Sequence, residues 1–227
     1  MLSPRRPLVG LEDCLKLLWL LERRGIPPTN TAVAERLGVS KASVSESFQR
    51  LSEAGLITYS PYQAPRLTTR GEREAIRLVR RHRLLETFLV EKLGYSWEEV
   101  HDEAHALEHY VSDRFVDRLD SFLGHPKFDP HGAPIPDREG RLPPLRGIPL
   151  EQAMPGRRVR VVTVWDDSRE VLTRLGEMGV TPGVVMRVLS HAPQGADYAI
   201  EVEIAGTSYR LSHSMTEMVV VEEEPQD

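Results

Sequence analysis

Residues 124–149, GHPKFDPHGAPIPDREGRLPPLRGIP, carry more proline and glycine than a helix interior or a central strand tolerates. Each proline removes a backbone donor, and each glycine adds backbone freedom that regular structure must then suppress. The stretch therefore divides the chain. Ahead of it, apolar residues recur at helical spacing; behind it, they alternate as in half-buried strands. The expectation is a helical N-terminal part, a β-rich C-terminal part of about 75 residues, and a semi-rigid connection between them.

In the N-terminal part, Leu11, Leu15, Leu18 and Trp19 mark one face of a helix that Gly25 stops. TAVAERLGVSKASVSESFQRLSEAGLI follows, with Ala34, Gly38 and Val44 at helix-turn-helix spacing. The small residue lets two helices approach, the glycine makes the turn, and the apolar residue locks the second helix onto the first. LITYSPYQAPRLTTRGE reads as two short strands around a Tyr/Pro loop, a wing. Residues 68–93 read as one long helix and residues 96–123 as another, the latter opened by a capping box of Ser96 and Glu99. In the C-terminal part, RRVRVVTVW, VVMRVLSHA, YAIEVEIAGTSYRLS and TEMVVVEEE read as strands, with one short helix in DDSREVLTRLGEMGVTPG.

Charge is uneven. Residues 1–70 hold ten Lys/Arg against six Asp/Glu, although the chain as a whole has a net charge of -5. A basic first third on an acidic protein suggests that this module faces a polyanion. The single cysteine, Cys14, excludes an intramolecular disulfide. The longest apolar run is too short to span a bilayer, and no cleavable signal is evident, so the expected location is the cytoplasm.

The chemistry-bearing segment is HDEAHALEHYVSD, residues 101–113. At helical spacing His101, His105, Glu108 and His109 share an arc of about 100° beside the apolar positions. His82 and Glu86 stand four apart on the preceding helix and share a face. Imidazole nitrogen with carboxylate oxygen suits manganese, iron, cobalt, nickel or zinc. The bland alternative is a solvated polar stripe. No zinc-protease HExxH, P-loop or nucleophile elbow is present.

The order of these parts, with RHRLLETFL, VHDEAHALEHYVSD and DPHGAPIP as its sharpest segments, resembles the diphtheria toxin repressor family of metal-dependent transcriptional regulators. LTRLGEMGVTPGVVMRVL is similar to that family's SH3-like domain, also found in ferrous-iron transport accessory proteins. The resemblance implies a mainly α fold with β: a winged helix-turn-helix DNA-binding domain (1–73), an α-helical metal-binding and dimerisation domain (74–140), a Pro-rich linker (141–148) and an SH3-like small β-barrel (149–227). It implies a regulatory metal site of Asp13, His105, Glu108 and His109, and an ancillary site of His82, Glu86 and His101. Asp166 or Asp167 would be a ligand from the barrel, and Arg83 an anion contact. His105 stands where the iron branch has cysteine and the manganese branch glutamate. Asp13 matches the manganese branch, and Lys16 stands where that branch has a second ligating glutamate.

The function so implied is a homodimeric regulator that binds a palindromic double-stranded operator when loaded with Mn(II), a repressor of metal-uptake and homeostasis genes. Fe(II) is the alternative effector, and other divalent transition metals are expected to bind in vitro. Ser40, Ala42, Ser43 and Glu46 would face the major groove, with Lys41, Arg50 and Arg66 on phosphates. The competing classes are a metal-dependent hydrolase built on the same histidines, which would leave the helix-turn-helix idle, and a metal-independent winged-helix regulator.

Overall fold

The computed structural model describes residues 6–60, 63–165 and 169–225. They form two compact units. The first comprises residues up to 82 with 108–111 and 136–141; the second comprises 83–107, 112–135 and 142 onward.

In the first unit α1 (Arg6–Arg23), α2 (Asn30–Leu37) and α3 (Lys41–Glu53) pack on one another, and β1 (Ile57–Thr58) pairs antiparallel with β2 (Arg66–Leu67). The turn between α2 and α3 has the expected chemistry. Gly38 takes a left-handed φ of 63° and its N–H caps the Ala34 carbonyl, while Ala34 and Val44 are buried. Ser40 caps α3 by accepting from the Ser43 N–H. Cys14, Leu18, Val33, Val44, Phe48 and Ile57 are among the residues that form this core. The hairpin leads into α4 (Thr69–Leu93), a 25-residue helix. At its start the Thr68 N–H donates to the Leu56 carbonyl, the Thr68 hydroxyl lies within donating distance of the Gly55 and Leu56 carbonyls, and the same hydroxyl accepts from the Gly71 N–H.

The reading of residues 96–123 as one helix is corrected. The chain forms α5 (Val100–Glu108), breaks, and starts again as α6 (Asp113–Phe122). Ser112 adopts an extended conformation and accepts from the Phe115 N–H, so a capping residue opens the second helix. Of the capping box, the Glu99 carboxylate accepts from the Ser96 N–H at 3.3 Å.

The Pro/Gly-rich stretch is not solvated throughout. Residues 131–136 are buried. Asp129 Oδ1 accepts from the N–H groups of His131 and Ala133, closing a tight turn. Gly132 sits in that turn with φ 80°, and a Cβ there would run into the Val162 carbonyl. The His131 carbonyl accepts from the Val164 N–H and the Thr163 hydroxyl, both at 2.9 Å. These contacts fasten the turn to β4 (Arg158–Val164).

The C-terminal sheet has six antiparallel strands in the order β3-β8-β4-β5-β6-β7. They are β3 (Ile148–Pro149), β4, β5 (Val185–His191), β6 (Ile200–Ile204), β7 (Thr207–Leu211) and β8 (Val219–Glu223). Register shifts in β4 after Val161 and in β5 after Val188 bend the sheet around its core. That core holds Leu150, Val161, Leu172, Leu175, Val188, Val202 and Val221, with α7 (Arg169–Glu177) packed on it. Strand β3 and helix α8 (His213–Met218) are additional to the elements read from sequence.

Candidate metal centre

In the first unit, Asp13 lies on α1, Glu108 ends α5 and His109 follows it. His109 Nε2 is 3.0 Å from Asp13 Oδ1 and 3.4 Å from Glu108 Oε1. First-row divalent ions bind oxygen and nitrogen at about 2.0–2.2 Å, which puts neighbouring ligand atoms about 3.0–3.5 Å apart. The three side chains fit such an ion, and their ligand atoms all lie within 4.8 Å of one another.

A carboxylate that the sequence reading missed orients the imidazole. His109 Nδ1 faces Glu12 Oε2 at 2.7 Å. A carboxylate can only accept, so in the neutral ring Nδ1 carries the hydrogen and the Nε2 lone pair faces Asp13 and Glu108. Burial alone would lower the His109 pKa. The hydrogen bonds that the protonated ring donates to Asp13 and Glu12, and the charge of Glu108, outweigh it and raise the pKa above the usual value. Cys14, next to Asp13, points into the core, and burial beside that carboxylate pushes its thiol up to about 12. Its sulfur is not among the ligand atoms that converge beside Asp13.

Glu108 is fully buried, and both its oxygens are engaged. Oε1 accepts from the Lys16 ammonium at 2.5 Å, and Oε2 faces His82 Nδ1 at 2.7 Å. His82 thus directs one ring nitrogen at Glu108, while standing one helical turn before Glu86 on α4.

In the second unit Glu86 is fully buried. Its Oε1 is 3.5 Å from His101 Nδ1 and 3.8 Å from His131 Nδ1. His105 lies on α5, three residues before Glu108, with its ring parallel to that of His101 at a centroid distance of 6.3 Å. His131 was not among the residues singled out from sequence, and neither was Asp129. Both are buried, and with Glu86 they form a further set able to hold a metal. His131 Nε2 is 2.9 Å from the Trp97 carbonyl, so it carries the hydrogen and leaves the Nδ1 lone pair facing Glu86. A ligating histidine is usually fixed in this way. Arg83 is buried, with Nη1 donating to the Pro134 carbonyl and Nε 3.4 Å from Asp129 Oδ2. The anion beside Arg83 is therefore the protein's own carboxylate. Asp166 and Asp167 lie outside the described residues.

On α3, Lys41, Ala42, Ser43, Glu46 and Arg50 are exposed, as is Arg66 on β2. The Ser40 and Ser43 hydroxyls are 2.9 Å apart, and Ser40 also serves as the helix cap.

Residues 10–64 match the family description "Iron dependent repressor, N-terminal DNA binding domain". Residues 68–137 match "Iron dependent repressor, metal binding and dimerisation domain", and residues 148–223 match "FeoA domain". The iron-dependent repressor IdeR of Mycobacterium leprae is 33% identical over 225 residues, covering 93% of this chain and 96% of that protein. The diphtheria toxin repressor of Corynebacterium diphtheriae is 32% identical over 161 residues, 67% of this chain and 71% of that protein. Among solved structures, a manganese-dependent transcriptional repressor in complex with manganese superposes with a TM-score of 0.85 at 38% identity, covering 94% of this chain and 100% of that one. The manganese regulator SloR gives 0.83 at 31% identity, covering 94% and 98%. The chain belongs to the iron-dependent repressor family, whose members are metal-responsive DNA-binding transcriptional regulators and not enzymes.

Proposed function

We propose that this protein is a Mn(II)-responsive repressor of metal-uptake and homeostasis genes, acting in the cytoplasm as a homodimer on a palindromic operator. The observation that carries the metal choice is the donor set. Asp13 supplies a hard carboxylate oxygen 3.0 Å from His109 Nε2, and the neighbouring thiol is withdrawn into the core. Carboxylate with imidazole suits Mn(II) better than a site with a sulfur ligand would. The family resemblance would add His105 to this regulatory set and would make His82, Glu86 and His101 the ancillary one. Asp129 and His131 supplement Glu86 there.

A bound divalent ion would supply positive charge on which Asp13, Glu108 and His109 converge. Asp13 belongs to the helix that packs on the recognition helix α3, while Glu108 ends α5 and His109 follows it. An ion held by all three would tie α1 to Glu108 and His109 within the first unit. Each ligand contact made only in the DNA-competent form shifts the population toward it. Two copies of α3 related by a dimer axis call for a palindromic site. Lys41, Arg50 and Arg66 would meet phosphates, and Ser43, Ala42 and Glu46 would meet base edges.

Fe(II) is the second reading, favoured by the relatives named iron-dependent repressors. The test is to measure operator affinity anaerobically with Mn(II), with Fe(II) and with chelator. Equal affinity in all three would sink metal dependence, and a stronger response to Fe(II) would overturn the choice of manganese.

A further inference from the structure

Lys16 follows Asp13 by three residues on α1, so the two share a face of that helix. It is buried, with 9% of its surface exposed. Its ammonium lies 2.5 Å from Glu108 Oε1, and Glu108 itself is fully buried. A buried carboxylate without a counter-charge is costly, so this ammonium contributes to keeping Glu108 ionised and in place when no metal is present. The oxygen it holds is also the one that lies 3.4 Å from His109 Nε2, facing the candidate ligand set.

We propose that Lys16 is a built-in competitor for the metal, an internal cation that neutralises Glu108 in the metal-free protein and thereby sets the free-metal concentration at which the site fills. This rests on the reading of Asp13, Glu108 and His109 as ligands. An ion about 2.1 Å from Glu108 Oε1 would stand on the order of 4 Å from an ammonium still bound to the same oxygen. The repulsion between charges of two and one at that distance exceeds thermal energy several-fold even at the dielectric constant of water. Filling the site therefore requires the lysine head to withdraw along its four-carbon stem, or the ion to bind against that repulsion. Either route weakens binding. A neutral side chain at position 16 removes the penalty and also leaves Glu108 in need of a cation, so metal-free stability falls while the stabilisation by metal grows.

The experiment measures Mn(II) binding to the full chain by equilibrium dialysis, together with thermal melting with and without Mn(II). Wild type is compared with Lys16→Met, Lys16→Gln, Lys16→Arg and Asp13→Ala. The sites lost in Asp13→Ala define the binding event to be followed. At these sites Lys16→Met should bind Mn(II) at least about tenfold more tightly than wild type, the effect a divalent ion about 4 Å from an ammonium gives even in water. It should also show a larger Mn(II)-induced rise in melting temperature. Lys16→Gln, which keeps the stem and a polar head, should follow Lys16→Met if the methionine variant does not fold. Lys16→Arg keeps the charge and should stay within about threefold of wild type. Wild-type or weaker affinity in both neutral variants would overturn the role given to Lys16 while leaving the ligand assignment standing. Unchanged Mn(II) binding in Asp13→Ala would instead remove the ligand reading, and the role of Lys16 with it.

Discussion

Gly71→Ala sets two physical effects against each other. Gly71 lies in the first turn of α4, and its backbone is packed against the chain just before the wing. A Cβ there would fall on the Leu56 carbonyl oxygen, well inside contact, with the carbonyl carbon at 2.8 Å and the Leu56 Cα at 3.3 Å. The obstacle is backbone and cannot swing aside. That carbonyl also accepts from the Thr68 N–H at 3.0 Å, and the Thr68 hydroxyl lies within donating distance at 3.1 Å. Overpacking costs about 1–3 kcal/mol, and weakening one net hydrogen bond costs about 1 kcal/mol. The helix preference of alanine over glycine returns about 1 kcal/mol. The balance is a loss of about 2 kcal/mol, a fall in the urea midpoint of about 1 M at a slope of about 2 kcal/mol/M. Gly10→Ala is the control, because Gly10 lies on α1 and a Cβ there meets nothing within 4 Å. It should gain about 0.5–1 kcal/mol. Urea unfolding of the metal-free variants, followed by circular dichroism, reads both effects. If Gly71→Ala is as stable as Gly10→Ala, helix propensity alone governs the position, and the close approach of α4 to Leu56 is wrong.

Two further outcomes follow from the same geometry. Gly132→Ala would force a left-handed φ of 80° on alanine and press its Cβ against the Val162 carbonyl; it should cost at least about 2 kcal/mol, and an unchanged melting temperature would contradict the docking of this turn on β4. Acid should weaken Mn(II) binding from a pH above the ordinary histidine value of about 6.5, because Asp13, Glu12 and Glu108 outweigh burial and raise the His109 pKa. The sign is that of a proton the metal must displace. His109 stabilises the metal-free fold fully below its unfolded pKa, and that contribution is lost as pH rises through the raised folded pKa. Over the same rise Mn(II) affinity gains up to about tenfold per pH unit; titrations from pH 5.5 to 8.5 that give one constant affinity would exclude His109 as a ligand.

The helix-turn-helix was legible because it rests on local chemistry. Ala34, Gly38 and Val44 do by contact and backbone conformation what their spacing implies. Asp13, Glu108 and His109 do come together, although Asp13 is far from the others in sequence and was placed by the family resemblance alone. The break between α5 and α6 was written in the sequence as Ser112, an N-cap three residues before Phe115, but the apolar periodicity that continues across it concealed the signal. Asp129 and His131 were overlooked for a different reason. Proline and glycine report backbone freedom, whereas His131 is buried by contacts with β4 more than thirty residues on, and Asp129 faces Arg83 more than forty residues back. The pairing of Lys16 with Glu108 spans 92 positions, so the substitution at position 16 was visible and its partner was not.

Asp13 joins the helix-turn-helix unit to the proposed ligand set, and it carries the central claim that metal governs DNA binding. The direct measurement is operator affinity of wild type and Asp13→Ala under anaerobic conditions, with Mn(II) and with chelator, alongside the sedimentation of each protein. Asp13 is partly exposed, with 16% of its side-chain surface accessible, and its removal takes away no apolar packing, so its loss should leave the folded dimer intact. Wild type should bind the operator tightly only with Mn(II), and Asp13→Ala should bind equally weakly with Mn(II) and with chelator. An Asp13→Ala dimer that still responds to Mn(II) as wild type does would contradict the account.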